Sequence, residues 1–211
     1  MSPDNSIRKF AISLAMFAVV ALGSAAIANA DQVVINVPNP GLSGTPGPYA
    51  TVTYTLNGSN IDVTVQMNLG FLAFGDGNGN NGIFGFNVVG SQAGLSVTGM
   101  PVGFTANLGG GNMDGFGPFD VTLSCCNSSN AVSSFSFTVS RTGGFSSASD
   151  IFEANSTGAH FAIHIAPSNG NPTGFAADSG VSTETPEPAT MLLLGSGLVG
   201  LAAGLRRRFK T

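Results

Sequence analysis

Alternation of apolar and polar residues is the feature that most constrains the fold of this chain. It runs without a break through residues 51–56 and 61–68, where Val, Ile, Leu, Tyr and Met alternate with Thr, Asp, Gln and Asn. Because successive side chains of a strand point to opposite faces, the pattern predicts two strands buried on one face only. Asn57-Gly58 between them is a favoured hairpin turn, so we expect the two strands to pair antiparallel.

Further short segments of strand type follow the same rule. They are residues 33–37, 83–89, 95–98, 119–125, 134–139 and 160–165. About eight such strands, separated by loops of Gly, Asn and Ser, predict an all-β protein of two packed antiparallel sheets. We expect a β-sandwich of jelly-roll or immunoglobulin-like type. Phenylalanines should fill the space between the sheets, with Phe119, Val121, Leu123 and Cys125 on one side of their strand.

The N-terminal end has the layout of a secretory signal peptide, residues 1–30. Two basic residues precede an apolar stretch over 10–22, and Ala28-Asn29-Ala30 is an A-x-A cleavage site. We therefore expect an N-terminal signal helix that is removed, leaving Asp31 as the first residue of the mature protein.

The C-terminal end combines a short motif, an apolar run and a basic stop. Pro186, Glu187 and Pro188 precede the uncharged residues 189–205, and Arg206, Arg207 and Arg208 follow. At about 1.5 Å per residue the run would form a helix of about 25 Å, close to the thickness of a bilayer core. Basic residues beside a span stay cytoplasmic. The pattern predicts a C-terminal transmembrane helix over 189–205 and a basic cytoplasmic tail over 206–211.

These signals divide the chain. Residues 31–178 should form the β-sandwich ectodomain, and residues 179–188 a polar linker that carries the Pro-Glu-Pro motif. A single-pass anchor whose prolines are incidental is the alternative.

The tail resembles the PEP-CTERM sorting domain of Gram-negative bacteria. The resemblance rests on Pro-Glu-Pro at 186–188, the glycine-rich apolar run and the terminal arginines. It implies export, recognition by an exosortase (a membrane cysteine peptidase) and association with extracellular polysaccharide or biofilm matrix.

Charge excludes nucleic acid as a partner. Residues 31–185 contain one basic residue, Arg141, and nine acidic ones, a net charge of −8. Such a surface has no basic patch to neutralise phosphate groups. It suits contact with neutral polymers or cations.

Cys125 and Cys126 are adjacent and are the only cysteines. Export favours their oxidation. Neighbouring side chains of a regular strand point apart, which resists a bond between them. A vicinal disulfide in a turn, intermolecular pairing and free thiols all stay open. The vicinal disulfide is the leading interpretation, because Asn127-Ser128-Ser129-Asn130 follows as a turn.

Asp76, Asn78 and Asn80 place oxygen ligands at alternate positions, as in a calcium loop. Asn81 and Asn87 then stand where a calcium loop needs Gly and Glu. These residues are weak calcium candidates, and a plain loop is the favoured interpretation. We assign no metal site beyond these weak candidates, and we predict no cofactor.

No catalytic constellation is evident. His160 and His164 would lie about 13 Å apart on one strand face, too far to share a metal ion, and we expect both to be exposed. The loop carboxylates Asp76, Asp114 and Asp120 have no fixed separation suited to glycoside hydrolysis. We predict that the protein is not an enzyme.

The sequence thus predicts an exported cell-surface or extracellular-matrix protein with a structural or interaction role. It would pass the inner membrane, be anchored there by its C-terminal helix, and then reach the surface or the medium. The alternative is a carbohydrate-binding module, calcium-assisted or not, with extracellular polysaccharide as partner. Thr51, Thr53 and Thr55 form one row of hydroxyls that could face a polymer lattice, although a single row is ordinary strand composition.

Overall fold

The structure is a computed structural model that describes residues 30–75, 82–126 and 130–184, with backbone only for residues 181–184. Within these ranges the fold is all-β with antiparallel pairing, as predicted. The strands are β1 (Ala30–Pro38), β2 (Ala50–Asn57), β3 (Asn60–Met67), β4 (Phe71–Ala73), β5 (Phe84–Phe86), β6 (Ser96–Thr98), β7 (Thr105–Asn107), β8 (Gly111–Met113), β9 (Gly117–Phe119), β10 (Val121–Ser124), β11 (Ser134–Ser140), β12 (Phe161–Pro167) and β13 (Gly174–Glu184). Short 3-10 turns lie at Pro40–Leu42 and Ala148–Ile151.

The predicted β2–β3 hairpin is confirmed. The two strands pair along their whole length from Ala50↔Met67 to Asn57↔Asn60. Gly58 and Ser59 form the two-residue loop, and Gly58 has a φ of 64°, a conformation that favours glycine.

In the part of the chain that the structure describes, eleven strands form one continuous sheet, where the sequence predicts two separate ones. Ten of them follow the order β6-β11-β3-β2-β1-β13-β12-β5-β10-β7, and β4 pairs with β12. The first and last strands, β1 and β13, pair with each other and join the two halves. The sequence gives no local sign of this pairing because the partners lie at opposite ends of the ectodomain.

The sheet curls so that its two halves face each other. Strands β5 and β11 are six places apart in the sheet, about 29 Å on a flat sheet. Yet the ring of Phe84 on β5 lies 5.9 Å from Phe135 and 6.0 Å from Phe137 on β11. The main core, to which Phe86 and Phe161 also contribute, therefore lies between the halves and is rich in phenylalanine as predicted.

A second, smaller core lies on the opposite face of the β12–β13 half. The β8–β9 hairpin covers this face with Met113 and Phe119, which pack with Phe175. Gly85 of β5 permits the approach, since a Cβ there would lie 2.9 Å from the Phe119 ring. The buried members of this core are Met113, Phe119, Ala159, Ala162, Phe175 and Ala177.

Phe119 therefore does not share a face with Val121 and Leu123, and that prediction is wrong. Val121 and Leu123 belong to the main core, whereas Phe119 belongs to the second. The strand breaks at Asp120, whose N–H donates to Asn87 Oδ1 at 3.0 Å and whose Oδ2 accepts from Val88 N at 3.1 Å. This side-chain bonding replaces strand pairing at Asp120 and lets the chain change direction.

Strand β13 extends through most of the predicted polar linker. Residues 179–184 belong to the strand, and Glu184, Thr183 and Ser182 pair with Asp31, Gln32 and Val33 of β1. The paired sheet thus continues beyond the expected ectodomain boundary at residue 178. The predicted signal helix over 1–30 lies outside the described residues, apart from Ala30, as does the transmembrane helix over 189–205. In the described ranges no helix is long and apolar enough to cross a bilayer.

Candidate functional site

The predicted processing residues lie at one end of the β1–β13 pair. Ala30 and Asp31, which flank the predicted signal cleavage bond, open β1 and pair with Thr55 and Tyr54 of β2. Asp31 also pairs with Glu184, the last residue of β13. Ala28 and the six predicted sorting residues, Pro186, Glu187, Pro188, Arg206, Arg207 and Arg208, lie outside the described residues.

A bulge interrupts β13 shortly before this end. Between Val33 and Ile35, β1 advances two residues while β13 advances four, from Ser182 to Asp178. Gly180, inside the bulge, has a φ of 78°. The bulge divides the β1–β13 ladder into an inner half at Ile35–Pro38 and an outer half at Asp31–Val33.

Asp178 organises the bulge. Its side chain is fully buried, and Oδ1 accepts hydrogen bonds from the backbone N–H groups of His160 at 2.9 Å and Phe161 at 2.8 Å. Oδ2 accepts from Gly180 N at 2.9 Å and lies 2.8 Å from His160 Nδ1. A buried carboxylate is stable only when it is bonded in this way, so these four contacts fix β13 against the start of β12.

The histidines are not exposed, contrary to the prediction. The His160 ring stacks on Phe152 with 3.8 Å between ring centroids and contacts Asp178. His164 is 9 % exposed and lies 4.3 Å from the rings of both Phe74 and Phe175. Strand alternation predicts exposure of both because it cannot show that Phe152 covers His160 or that Phe74 and Phe175 cover His164.

Cys125 and Cys126 are joined in a vicinal disulfide. The bond sits just beyond the end of β10, where Cys126 has left regular strand geometry with a φ of 23°. Gly75 packs directly against it: its N–H donates to Cys126 O at 2.9 Å, and a Cβ would lie 2.2 Å from Cys125 O. The weak calcium candidates that follow Gly75, namely Asp76, Asn78 and Asn80, lie outside the described residues.

A polar cleft of about 450 Å³ lies beside Asp120 and Glu153. Asn87 spans its floor, donating to Glu153 O at 2.9 Å and accepting from Asp120 N. No group of three or more His, Cys, Asp or Glu side chains that could hold a metal occurs in residues 30–75, 82–126 and 130–184. Asp114 lies apart from the cleft, at the tip of the β8–β9 hairpin, where Asn39 Nδ2 donates to its backbone oxygen at 3.3 Å.

The outer face of the β11–β3–β2 region carries several rows of hydroxyl and amide side chains. The threonine row of β2 does not stand alone, because Thr53 pairs with Thr64 and Thr64 with Ser136. Asp62 is the one charged side chain on this part of the face, and it accepts from Thr138 Oγ1 at 2.7 Å. The residues of the face, called here the hydroxyl face, are Thr51, Thr53, Thr55, Asp62, Thr64, Gln66, Ser134, Ser136 and Thr138.

Comparison with known families gives one match. A model of the PEP-CTERM protein-sorting motif matches residues 184–208. The chain carries a PEP-CTERM sorting motif. The match spans the Pro-Glu-Pro signature, the apolar run and the basic stop, so the resemblance recognised in the sequence is confirmed. No curated protein and no solved structure matches the chain.

The PEP-CTERM motif implies export, membrane anchoring through the C-terminal region and recognition by an exosortase, which is a membrane protein. The matched region begins at Glu184, the residue that ends β13. The paired sheet and the PEP-CTERM motif therefore meet without an intervening linker.

Sequence reasoning missed Asp178 and the role of His160. The two residues are 18 apart, and no short spacing links them. The sequence feature that could have identified Asp178 is its place as the single carboxylate among the small residues of Ala176–Gly180. An Asp followed two residues later by Gly is a frequent local turn, so the pattern predicts the bulge better than it predicts the partner.

Proposed function

We propose that the protein is an exosortase substrate that works at the cell surface or in the extracellular matrix in a structural or interaction role, without catalysis. The PEP-CTERM motif at residues 184–208 carries this proposal. The signal-peptide layout of residues 1–30 supports it independently, because two sorting signals at opposite ends agree on export.

The bonding of the titratable residues supports a role without catalysis. A general base needs a free lone pair within reach of substrate. Asp178 is buried, accepts three backbone hydrogen bonds and lies 2.8 Å from His160 Nδ1, and His160 is stacked on Phe152. These groups hold the fold together, and we assign them that role.

We also assign the ectodomain to the β-sandwich class. Its halves pack face to face, as the two sheets of a sandwich do, because the ring of Phe84 in one half contacts the rings of Phe135 and Phe137 in the other. The continuous ladder through β1 and β13 means that its connectivity differs from separate jelly-roll or immunoglobulin sheets.

The test is the intact mass and location of the mature protein in its host, with and without the cognate exosortase. We expect a species that begins at Asp31, ends near Pro186 and leaves the membrane only when the peptidase is present. A membrane-bound species that keeps Arg206 to Thr211 in both strains would mean a simple anchor and would refute the proposal.

A second candidate function is binding of a neutral polysaccharide, and the hydroxyl face is the observation that favours it. Adjacent strands place its rows about 4.8 Å apart, and side chains repeat about every 6.8 Å along each strand. Thr64, Gln66, Ser134 and Ser136 are exposed there. A regular array of neutral hydroxyls and amides offers hydrogen bonds to a polymer with repeating hydroxyl groups.

Binding to insoluble cellulose, chitin and other neutral polysaccharides tests this candidate. We expect the double variant Thr64→Arg/Ser136→Arg to lose at least tenfold in affinity, since its bulky side chains keep a polymer off the face. Ser168→Arg, an exposed position just after β12, is the matched control and should bind like the parent protein. Equal binding by both variants, each with an unchanged melting temperature, would eliminate the hydroxyl face as the site.

A further inference from the structure

We propose that the outer end of β13, Ser182–Glu184, is a clamp that must leave β1 before the exosortase can cleave the tail. This inference rests on the proposed function, because it concerns how the folded domain controls access to the sorting motif. It assigns to the β1–β13 ladder a regulatory role in tail processing.

The clamp occupies the backbone that a peptidase needs. Thr185 alone separates Glu184 from Pro186, so the paired strand reaches to within two residues of the motif along the chain. Enzymes commonly hold extended peptide substrates by hydrogen bonds to the main chain. The main chain of Ser182–Glu184 is already paired with Asp31–Val33. Productive binding of the motif therefore competes with this pairing.

The clamp can open without unfolding the domain because it is held on one side only. Strand β12 pairs with β13 from Gly174 to Ala177, whereas in the described part of the chain Ser182–Glu184 pair with β1 alone. Strand segments with few partners open first in a folded protein. The outer half of the ladder is therefore the weakest part of the β1–β13 junction.

Asp178 marks the point at which opening would stop. The bulge separates the three outer pairs from the inner pairs Ile35↔Asp178, Val37↔Ala177 and Pro38↔Ala176. The four contacts of Asp178 anchor the inner half to the start of β12. Release of the clamp would thus free the residues before the motif and leave the core closed.

Two engineered disulfides on either side of the bulge test the inference. Gln32→Cys/Thr183→Cys locks the clamp, and Val37→Cys/Ala177→Cys locks the inner half and is the matched control. Both pairs are Cα partners in the ladder, and Val37↔Ala177 lies just beyond a second register shift, between Ile35 and Val37. Cα atoms of antiparallel partners lie about 4.5–5.5 Å apart, within the range of a disulfide. Peptide mapping establishes that the new bond forms and that Cys125–Cys126 is retained.

The assay incubates the full-length precursor with membranes that contain the exosortase and follows tail removal by intact mass. We expect the oxidised clamp variant to be cleaved at least tenfold more slowly than the parent chain, and dithiothreitol to restore its rate. The inner crosslink should leave the rate within twofold. Cleavage of the oxidised clamp variant at the parent rate, or equal slowing by both crosslinks, would overturn the inference and leave the proposed function intact. Failure of the parent chain to be cleaved by a demonstrably active exosortase would overturn the proposed function and the inference with it.

Discussion

Replacement of Asp178 by alanine should be among the most destabilising single changes in the ectodomain. It removes a buried acceptor from the backbone N–H groups of His160, Phe161 and Gly180, and it removes the 2.8 Å contact with His160 Nδ1. A buried donor left without a partner costs about 1–3 kcal/mol, and three backbone N–H groups lose the same acceptor together. Because these terms overlap, we expect the free energy of unfolding to fall by about 3–5 kcal/mol.

Asp178→Asn should lose less, about 2 kcal/mol, for a reason that the geometry supplies. Its Oδ1 still accepts from His160 N and Phe161 N. Its amide group, however, turns a donor toward Gly180 N–H, so that one bond is replaced by a repulsive contact. A free energy of unfolding that rises from the alanine variant to the asparagine variant to the parent aspartate thus indicates a carboxylate that accepts several backbone hydrogen bonds.

Denaturant unfolding of the mature protein measures these differences, and thermal melting checks them. For a chain of this size, 3–5 kcal/mol corresponds to a fall in Tm of about 10 °C. Asp62→Ala is the matched control, because this carboxylate lies on the hydroxyl face and accepts from the side chains of Thr138 and Asn57. We expect it to cost about 1 kcal/mol. An Asp178→Ala protein within 1 kcal/mol of the parent would refute the reasoning.

Three further predictions concern other parts of the fold. Burial raises the pKa of Tyr49, so above about pH 10 the unfolded state loses the phenol proton first, and the free energy of unfolding falls as the pH rises. Alkaline unfolding curves should show that Tyr49→Phe reduces this pH dependence by up to about 1.4 kcal/mol per pH unit. Gly75→Ala should lower the free energy of unfolding, measured with denaturant, by at least about 2 kcal/mol, because its Cβ would lie 2.2 Å from Cys125 O. Gly109→Ala is the control and should lower it by less than about 1 kcal/mol, because the nearest atom to its Cβ would be 3.4 Å away. Cys125→Ser/Cys126→Ser should cost only about 1 kcal/mol in the same assay, since so short a loop restrains the unfolded chain very little.

Each of these outcomes has a clear opposite. An unchanged alkaline slope in Tyr49→Phe would mean that the phenol does not titrate differently on unfolding. Equal stability of the two Gly→Ala variants would show that the turn at the disulfide can shift to accept a Cβ. A loss of several kcal/mol in the double serine variant would assign to the disulfide a structural role larger than its loop length predicts.

Local patterns were sufficient to predict the β2–β3 hairpin and the sorting motif. Alternation and the Asn57-Gly58 turn identify the β2–β3 hairpin because the two strands adjoin in sequence. The PEP-CTERM motif was recognisable for the same reason, since all its parts lie within residues 184–208.

Features that depend on distant partners could not be predicted in this way. The pairing of β1 with β13 and the burial of His160 against Phe152 and Asp178 are set by tertiary contacts. Phe119 and Val121 lie on different faces because Asp120 between them is hydrogen-bonded to Asn87 and Val88, which are 33 and 32 positions earlier in the chain. The vicinal disulfide, by contrast, agrees with the interpretation that the adjacent cysteines and the turn residues after them favour.

The central position of the β1–β13 pair has a consequence for the order of events during secretion. A chain that crosses a membrane from its N-terminus delivers β1 first and β13 last. Until residues 174–184 have emerged, β1 lacks its second neighbour and the two halves of the sheet cannot join. Closing so long a loop is also slow relative to local hairpin formation. The topology therefore delays completion of the sheet until almost the whole ectodomain has been translocated, and the segment that completes it is the one that leads into the membrane anchor.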